Sequence, residues 1–188
     1  VRHRLLTATA ATAVLLAACG GGEPAAEDID GMDGMSGMVM DEPDATRADE
    51  LGDVEQLRSS PVALFEDAPE RFEDVAGQAW AAFGDDPGTT VTLELSGLPP
   101  GEEVIAHLHA EPCAVRGGPH FQFEEDGPEV PPNEVHLAGT PGDDGTLSLT
   151  VTNGDTATGA QSLIFHPRAD TDTYVGCVDL REETTTVG

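Results

Sequence analysis

Hydrophobic and polar positions alternate over short runs through the last two thirds of the chain. The stretches 60–66 (SPVALFE), 77–83 (GQAWAAF), 89–98 (TTVTLELSGL), 103–111 (EVIAHLHAE), 145–152 (GTLSLTVT), 161–167 (QSLIFHP) and 173–180 (TYVGCVDL) mix β-branched or aromatic residues with polar ones. A period near two is the spacing of strands half-buried against a core. Turn formers separate them: GDDPG at 84–88, PPG at 99–101, PGDDG at 141–145 and NGD at 153–155. Pro69 to Phe83 also admits an amphipathic helix opened by its proline, and the reading adopted is helix or loop to about Val75, then strand. The stretch 112–142 has little periodicity and six prolines, and is predicted to be a loop. Short strands with turns between them predict an all-β fold, an antiparallel sandwich or flattened barrel.

Ahead of this region the pattern changes twice. Arg2 and Arg4 lead into an apolar run from Leu5 to Ala18, the plan of an export signal and short for a permanent membrane span. Leu16-Ala17-Ala18-Cys19 resembles the bacterial lipobox, which implies cleavage before Cys19, lipidation of that cysteine and an extracytoplasmic, membrane-anchored protein. Residues 20–56 are rich in Gly, Asp and Glu and lack aromatics, so they are predicted to be a disordered tether. The expected layout is a signal over 1–18, a tether over 19–56 and one β domain over 57–188.

Charge narrows the partners. Loss of Arg2 and Arg4 with the signal takes the formal net charge from -28 to -30, and the chain has no lysine. Nucleic acid and anionic lipid surfaces are therefore poor partners. Cys113 and Cys177 remain after Cys19, and their number allows one intramolecular pairing in an oxidising compartment. Every methionine lies in GMDGMSGMVM: Met32, Met35, Met38 and Met40. Thioethers are soft ligands, so a Met-bearing tether suggests Cu(I) capture, with composition bias as the alternative.

The chemistry concentrates in the histidines. On a strand, His107 and His109 stand on one face with Ile105, while Leu108 faces the other way. Neighbouring imidazoles on a rigid sheet chelate a metal at little ordering cost. His120 in GGPHF, His136 in NEVHLAG and His166 in LIFHP complete a set of five within residues 107–166.

Taken together, LSGLPPGEEVIAHLHAEPC, GGPHF, LIFHPRAD and GCVDL resemble segments of the copper-zinc superoxide dismutase family, over about residues 77–181. The resemblance implies a Greek-key sandwich with shortened loops and a copper site of His107, His109, His120 and His166. It also implies a Cys113–Cys177 disulfide, with superoxide as substrate. Asp170 matches an aspartate that hydrogen-bonds across the family's metal sites, which implies a role in orienting His107, with a turn aspartate in RADTDT as the alternative. Imidazole ligands suit copper, and affinity order favours copper over zinc.

Several positions depart from the family. Of the zinc ligands only His136 has a counterpart beyond the bridging histidine, since EEDGPEV lacks the next one and Gly139 replaces the aspartate. No family-type zinc site is expected, and His136 is either an additional metal ligand or an ordinary loop histidine. Glu124, Glu125, Asp126 or Glu129 are acids from which an oxygen ligand could come. The family's anion-guiding arginine is replaced by Tyr174, leaving Arg168 and Arg116 as candidates for guidance. Two functions stay open: dismutation of superoxide at a copper-only site, or non-catalytic copper binding and sequestration on the same scaffold.

Overall fold

The structure is a computed structural model and describes residues 38–180. Strands β1 (Gln56–Pro61), β3 (Ala76–Phe83), β4 (Thr89–Ser96) and β7 (Leu147–Asn153) form one sheet in the order β1-β3-β4-β7. A second sheet runs β2-β9-β8-β5-β6, from β2 (Ala63–Leu64), β9 (Gly176–Asp179), β8 (Ser162–Pro167), β5 (Val104–His109) and β6 (His136–Gly139). All pairings are antiparallel. The chain crosses between sheets after β1, β2, β4, β6 and β7, so β7 returns beside β4 and β8 beside β5, the Greek-key pattern. The sheets do not close on each other, which makes the molecule a sandwich and corrects the flattened-barrel alternative.

Alternation explains the core. Ala79, Ala81 and Phe83 of β3 and Val91, Leu93 and Leu95 of β4 face Val104, Ala106 and Leu108 of β5 and Leu163 and Phe165 of β8. Each inner residue has outward neighbours, so Ile105, His107 and His109 fall on the outer face of the second sheet, as the strand period predicts. That outer face is nevertheless buried, because the loops after β5 and β8 fold over it.

Three regions differ from the sequence reading. Stretch 60–66 is two strands in different sheets: the chain leaves β1 at Pro61, passes Val62, and pairs Ala63 with Cys177. Between Pro69 and β3 the helical alternative contracts to a single 3-10 turn, Glu70–Phe72, whose Phe72 is fully buried. The predicted loop 112–142 contains β6, four residues among prolines, too short for periodicity to reveal.

Tether over 19–56 is also corrected for its described part. The Met40 carbonyl accepts a hydrogen bond from the Ala138 amide of β6 at 2.9 Å, and the Glu42 amide donates to the Thr150 carbonyl of β7 at 2.7 Å. The carboxylate of Glu42 accepts from both the amide and the hydroxyl of Thr152, and Asp41 accepts from the Thr150 amide. Further along, the Ala48 amide donates to Thr92 Oγ1 at 3.0 Å, with Ala48 fully buried. Low hydrophobicity misled here because acidic side chains and backbone groups satisfy the exposed strand edges, an ordering energy that hydropathy does not count. Residues 19–37 of the expected tether lie outside the described residues, as do Cys19, Met32 and Met35.

Candidate metal centre

Strand register builds the centre. Paired residues of an antiparallel ladder point to the same side. Opposite His107 of β5 stand Ile164 on β8 and His136 on β6, and opposite Ile105 stands His166. His120 arrives from the loop after the disulfide and forms a single bridge with His109. All five histidines therefore share the outer face. Ring centroids lie 4.3 Å apart for His107 and His120, 4.4 Å for His107 and His136, 4.9 Å for His109 and His120, and 5.6 Å for His107 and His166.

Two sets have ligand atoms within 4.8 Å of one another: His107, His109 and His120, and, sharing His120, the trio His120, Glu134 and His136. The first contains three of the four residues expected around copper. His166 borders it through His107 and is held by its own carbonyl partner. His136 is not an ordinary loop histidine, since it opens β6 and is only 2% exposed.

Hydrogen bonds fix the tautomers. Nδ1–H of His109 donates to the Gly118 carbonyl and Nδ1–H of His166 to the Thr173 carbonyl, both at 3.1 Å. His120 Nδ1–H and His136 Nε2–H both donate to Oε2 of Glu134 at 2.7 Å, while Gln122 donates to its Oε1 at 2.9 Å. Each ring so held carries its lone pair on the opposite nitrogen, the arrangement a metal ligand needs. Two of these nitrogens, His109 Nε2 and His136 Nδ1, are buried without a partner, and so is Nδ1 of His107. Buried polar atoms are almost always satisfied. A cluster of unsatisfied imidazole nitrogens on one face therefore fits a bound cation.

Electrostatics agree. Burial, reinforced by the neighbouring imidazoles, holds His107 well below the ordinary histidine range. Burial also brings His109 and His166 down to about 4, against the opposing pull of their carbonyl partners. These rings are neutral at physiological pH and available as ligands. For Glu134 burial pushes upward, but the hydrogen bonds from His120, His136 and Gln122 outweigh it and bring the carboxyl down to about 2. An anionic carboxylate, 1% exposed, thus sits between two imidazoles.

Glu134 is the residue sequence reasoning missed. Its signal is faint, because the acids at 124–129 lie in the same loop, and only the strand start at His136 reveals that the glutamate two residues before it in NEVH reaches the cluster.

The disulfide is present, joining Cys113 and Cys177 across a sequence separation of 64. It pins the loop that returns to His109: the Cys113 amide donates to Asp179 of β9 at 2.8 Å. At Gly117, φ is +75°, and a Cβ would lie 2.8 Å from Cγ of His109 and 2.4 Å from Cδ1 of Ile164. Only glycine lets the backbone approach this closely.

The remaining predicted residues stand further out. Asp170 is exposed and accepts from the Thr173 hydroxyl at 2.6 Å, so it supports the turn whose carbonyl holds His166 rather than orienting His107. Arg168 pairs with Glu103 at 3.2 Å. Arg116 pairs with Asp67 at 3.1 Å and lies 4.6 Å over the ring of Tyr174, which packs 4.8 Å from His166. A cleft lined by His109, His120, Gln122, Glu129, Glu134 and Tyr174 opens the cluster to solvent. Met40 is 8% exposed and packed into the fold, which removes it from a free capture segment, whereas Met38 lines a separate cleft.

In comparisons with known proteins, no family model and no curated protein matches the chain.

Proposed function

We propose that this protein holds one copper ion with His107, His109, His120 and His166 and dismutates superoxide, as an exported protein anchored through Cys19. The observation that carries the reading is the cluster of imidazoles on one sheet face, in which His109, His120 and His166 donate Nδ1–H to carbonyls or to Glu134 while His107 Nδ1 and His109 Nε2 are buried without partners. Nitrogen donors of this kind suit copper above the other divalent first-row metals. The disulfide agrees with an oxidising compartment.

Bound copper would supply the one-electron couple by which one superoxide is oxidised to dioxygen and another, with two protons, is reduced to hydrogen peroxide. The chain's own part is to hold and orient the ligands. Carbonyls of Gly118 and Thr173 lock His109 and His166, so little reorganisation accompanies a change of charge at the site. His120 is the ring that solvent reaches, its side chain 36% exposed beside the open cleft. With its Nδ1–H held by the anionic Glu134, its lone pair is on Nε2, the atom that would hold the metal, and the carboxylate would offset positive charge at the site.

A second reading, copper sequestration without turnover, is favoured by one observation. The two arginines expected to guide an anion, Arg116 and Arg168, are both engaged by acids in a chain of formal charge -28, which leaves an approaching anion little attraction. Pulse radiolysis of the copper-reconstituted chain beside its His109→Ala variant separates the two. A rate above the variant and above buffer supports dismutation. Equal rates with stoichiometric copper in the wild type leave sequestration, and no copper uptake ends both readings.

A further inference from the structure

The mouth over the histidine cluster carries charge of one sign. It is a cleft of about 330 Å³, and the acidic side chains that line it are Glu129 and Glu134. Gln122 and Tyr174 add neutral polar groups, and no lysine or arginine is among the lining residues. Arg116 reaches the Tyr174 ring at 4.6 Å but is ion-paired with Asp67. The two carboxylates of the mouth differ. Glu134 is buried and holds hydrogen bonds from His120, His136 and Gln122. Glu129 is exposed, and its side chain makes no hydrogen bond or ion pair with the described residues. Behind them the cleft reaches His109, which is 2% exposed and whose Nε2 is buried without a partner. A ligand atom of His109 lies within 4.8 Å of ligand atoms from His107 and His120.

We infer that this mouth is the entry for the metal ion itself, and that Glu129 captures a hydrated divalent cation there before the imidazoles bind it. Two carboxylates with no basic side chain among them set the field in the cleft, which concentrates cations and disfavours anions. Both oxygens of Glu134 are already engaged by protein donors, so the group free to accept hydrogen bonds from the water shell of an arriving ion is Glu129. The ion then exchanges its waters for nitrogen donors. His120, the ring that solvent reaches, is met first, and the buried nitrogens of His109 and His107 follow. The waters return to solvent and no electron moves. Imidazole is the better donor for copper and zinc, whereas carboxylate suits harder ions, so the ion passes inward from Glu129 rather than staying on it. Glu129 therefore acts on the rate of loading and not on the finished coordination. That copper is the cargo rests on the reading above, whereas the route needs only a divalent ion that imidazoles bind.

Stopped-flow mixing of the metal-free full chain with Cu(II) tests it, with uptake followed by the absorption of nitrogen-bound Cu(II). At low ionic strength Glu129→Gln should slow uptake by about three- to tenfold, the size expected for taking one charge from the path of a dication. Glu129→Lys should slow it further. Glu70→Gln removes an exposed acid outside the cleft, with the same change of net charge, and should match the wild type. The differences should close in about 1 M salt, where charges are screened beyond about 3 Å. Release of the ion to excess chelator and the electron paramagnetic resonance of bound Cu(II) should be those of the wild type in both Glu129 variants. Glu129 variants that load as fast as Glu70→Gln overturn the route and leave the copper centre standing. An altered copper signal in them overturns it too, since Glu129 would then be a ligand. A wild-type chain without a nitrogen-ligated Cu(II) signal removes the copper centre, and the route to it falls as well.

Discussion

At the scale of single residues, the centre depends on one carboxylate serving two rings. Glu134 keeps the protons of His120 Nδ1 and His136 Nε2 in place and supplies a negative charge beside the ligands. Glu134→Gln keeps the shape and loses that charge. Copper affinity in chelator competition should fall by about 10- to 100-fold, the usual effect of removing a carboxylate behind a ligating histidine. Protonation gives a second expectation, for the metal-free protein. His109 and His166 have folded values near 4, below the ordinary 6.5, so protons bind the unfolded chain first. Their contribution is complete above about pH 6.5 and is lost as pH falls through 4, by roughly 3 kcal/mol for each ring. Urea unfolding between pH 7 and pH 5 should show the decline, in a window above the titration of the many carboxylates. A flat profile there would mean that the rings are not held neutral. The clustering of His107 and His109 was legible from spacing, because a strand period of two fixes their face. Glu134 was not, because its neighbour His136 gave no sign of belonging to a strand.

At the scale of elements, β3, β4, β5, β7, β8 and β9 were legible as alternating runs, since each has one face in the core and one outside it. What escaped is most of β1, the four-residue β6, the two-residue β2, and the segment around Glu42 that ties β6 to β7. Two elements carry expectations of their own. The disulfide loop delivers Gly117 and Gly118 against His109, so Gly117→Ala should push the His109 ring and cost about 2 kcal/mol of stability through overpacking and a left-handed φ. Thermal unfolding would register the loss, and Cu(II) spectroscopy the displaced ligand. Replacing Cys113 and Cys177 by serine should lower stability by about 2–4 kcal/mol, as loss of a crosslink over a long loop does. Denaturant unfolding with and without the crosslink measures it, and copper affinity should weaken in parallel because the same loop carries the Gly118 carbonyl.

At the scale of the whole molecule, charge governs encounter. With 36 acids against eight basic residues, and Arg116 and Arg168 paired, the field around the cleft repels superoxide. Salt screens that repulsion over about 8–10 Å. If dismutation occurs, its bimolecular rate should rise with ionic strength, the reverse of an enzyme that steers its anion by positive charge, and pulse radiolysis from low to high salt would show the slope. The division between the two faces of the second sheet has another consequence. The hydrophobic cluster that joins the sheets uses Val104, Ala106 and Leu108 of β5, on the face opposite His107 and His109. If the histidines hold an ion, the core between the sheets is expected to stand without it. Stripping it with a chelator should leave an intact sandwich ready to be charged again, unlike small domains that unravel when their ion is withdrawn.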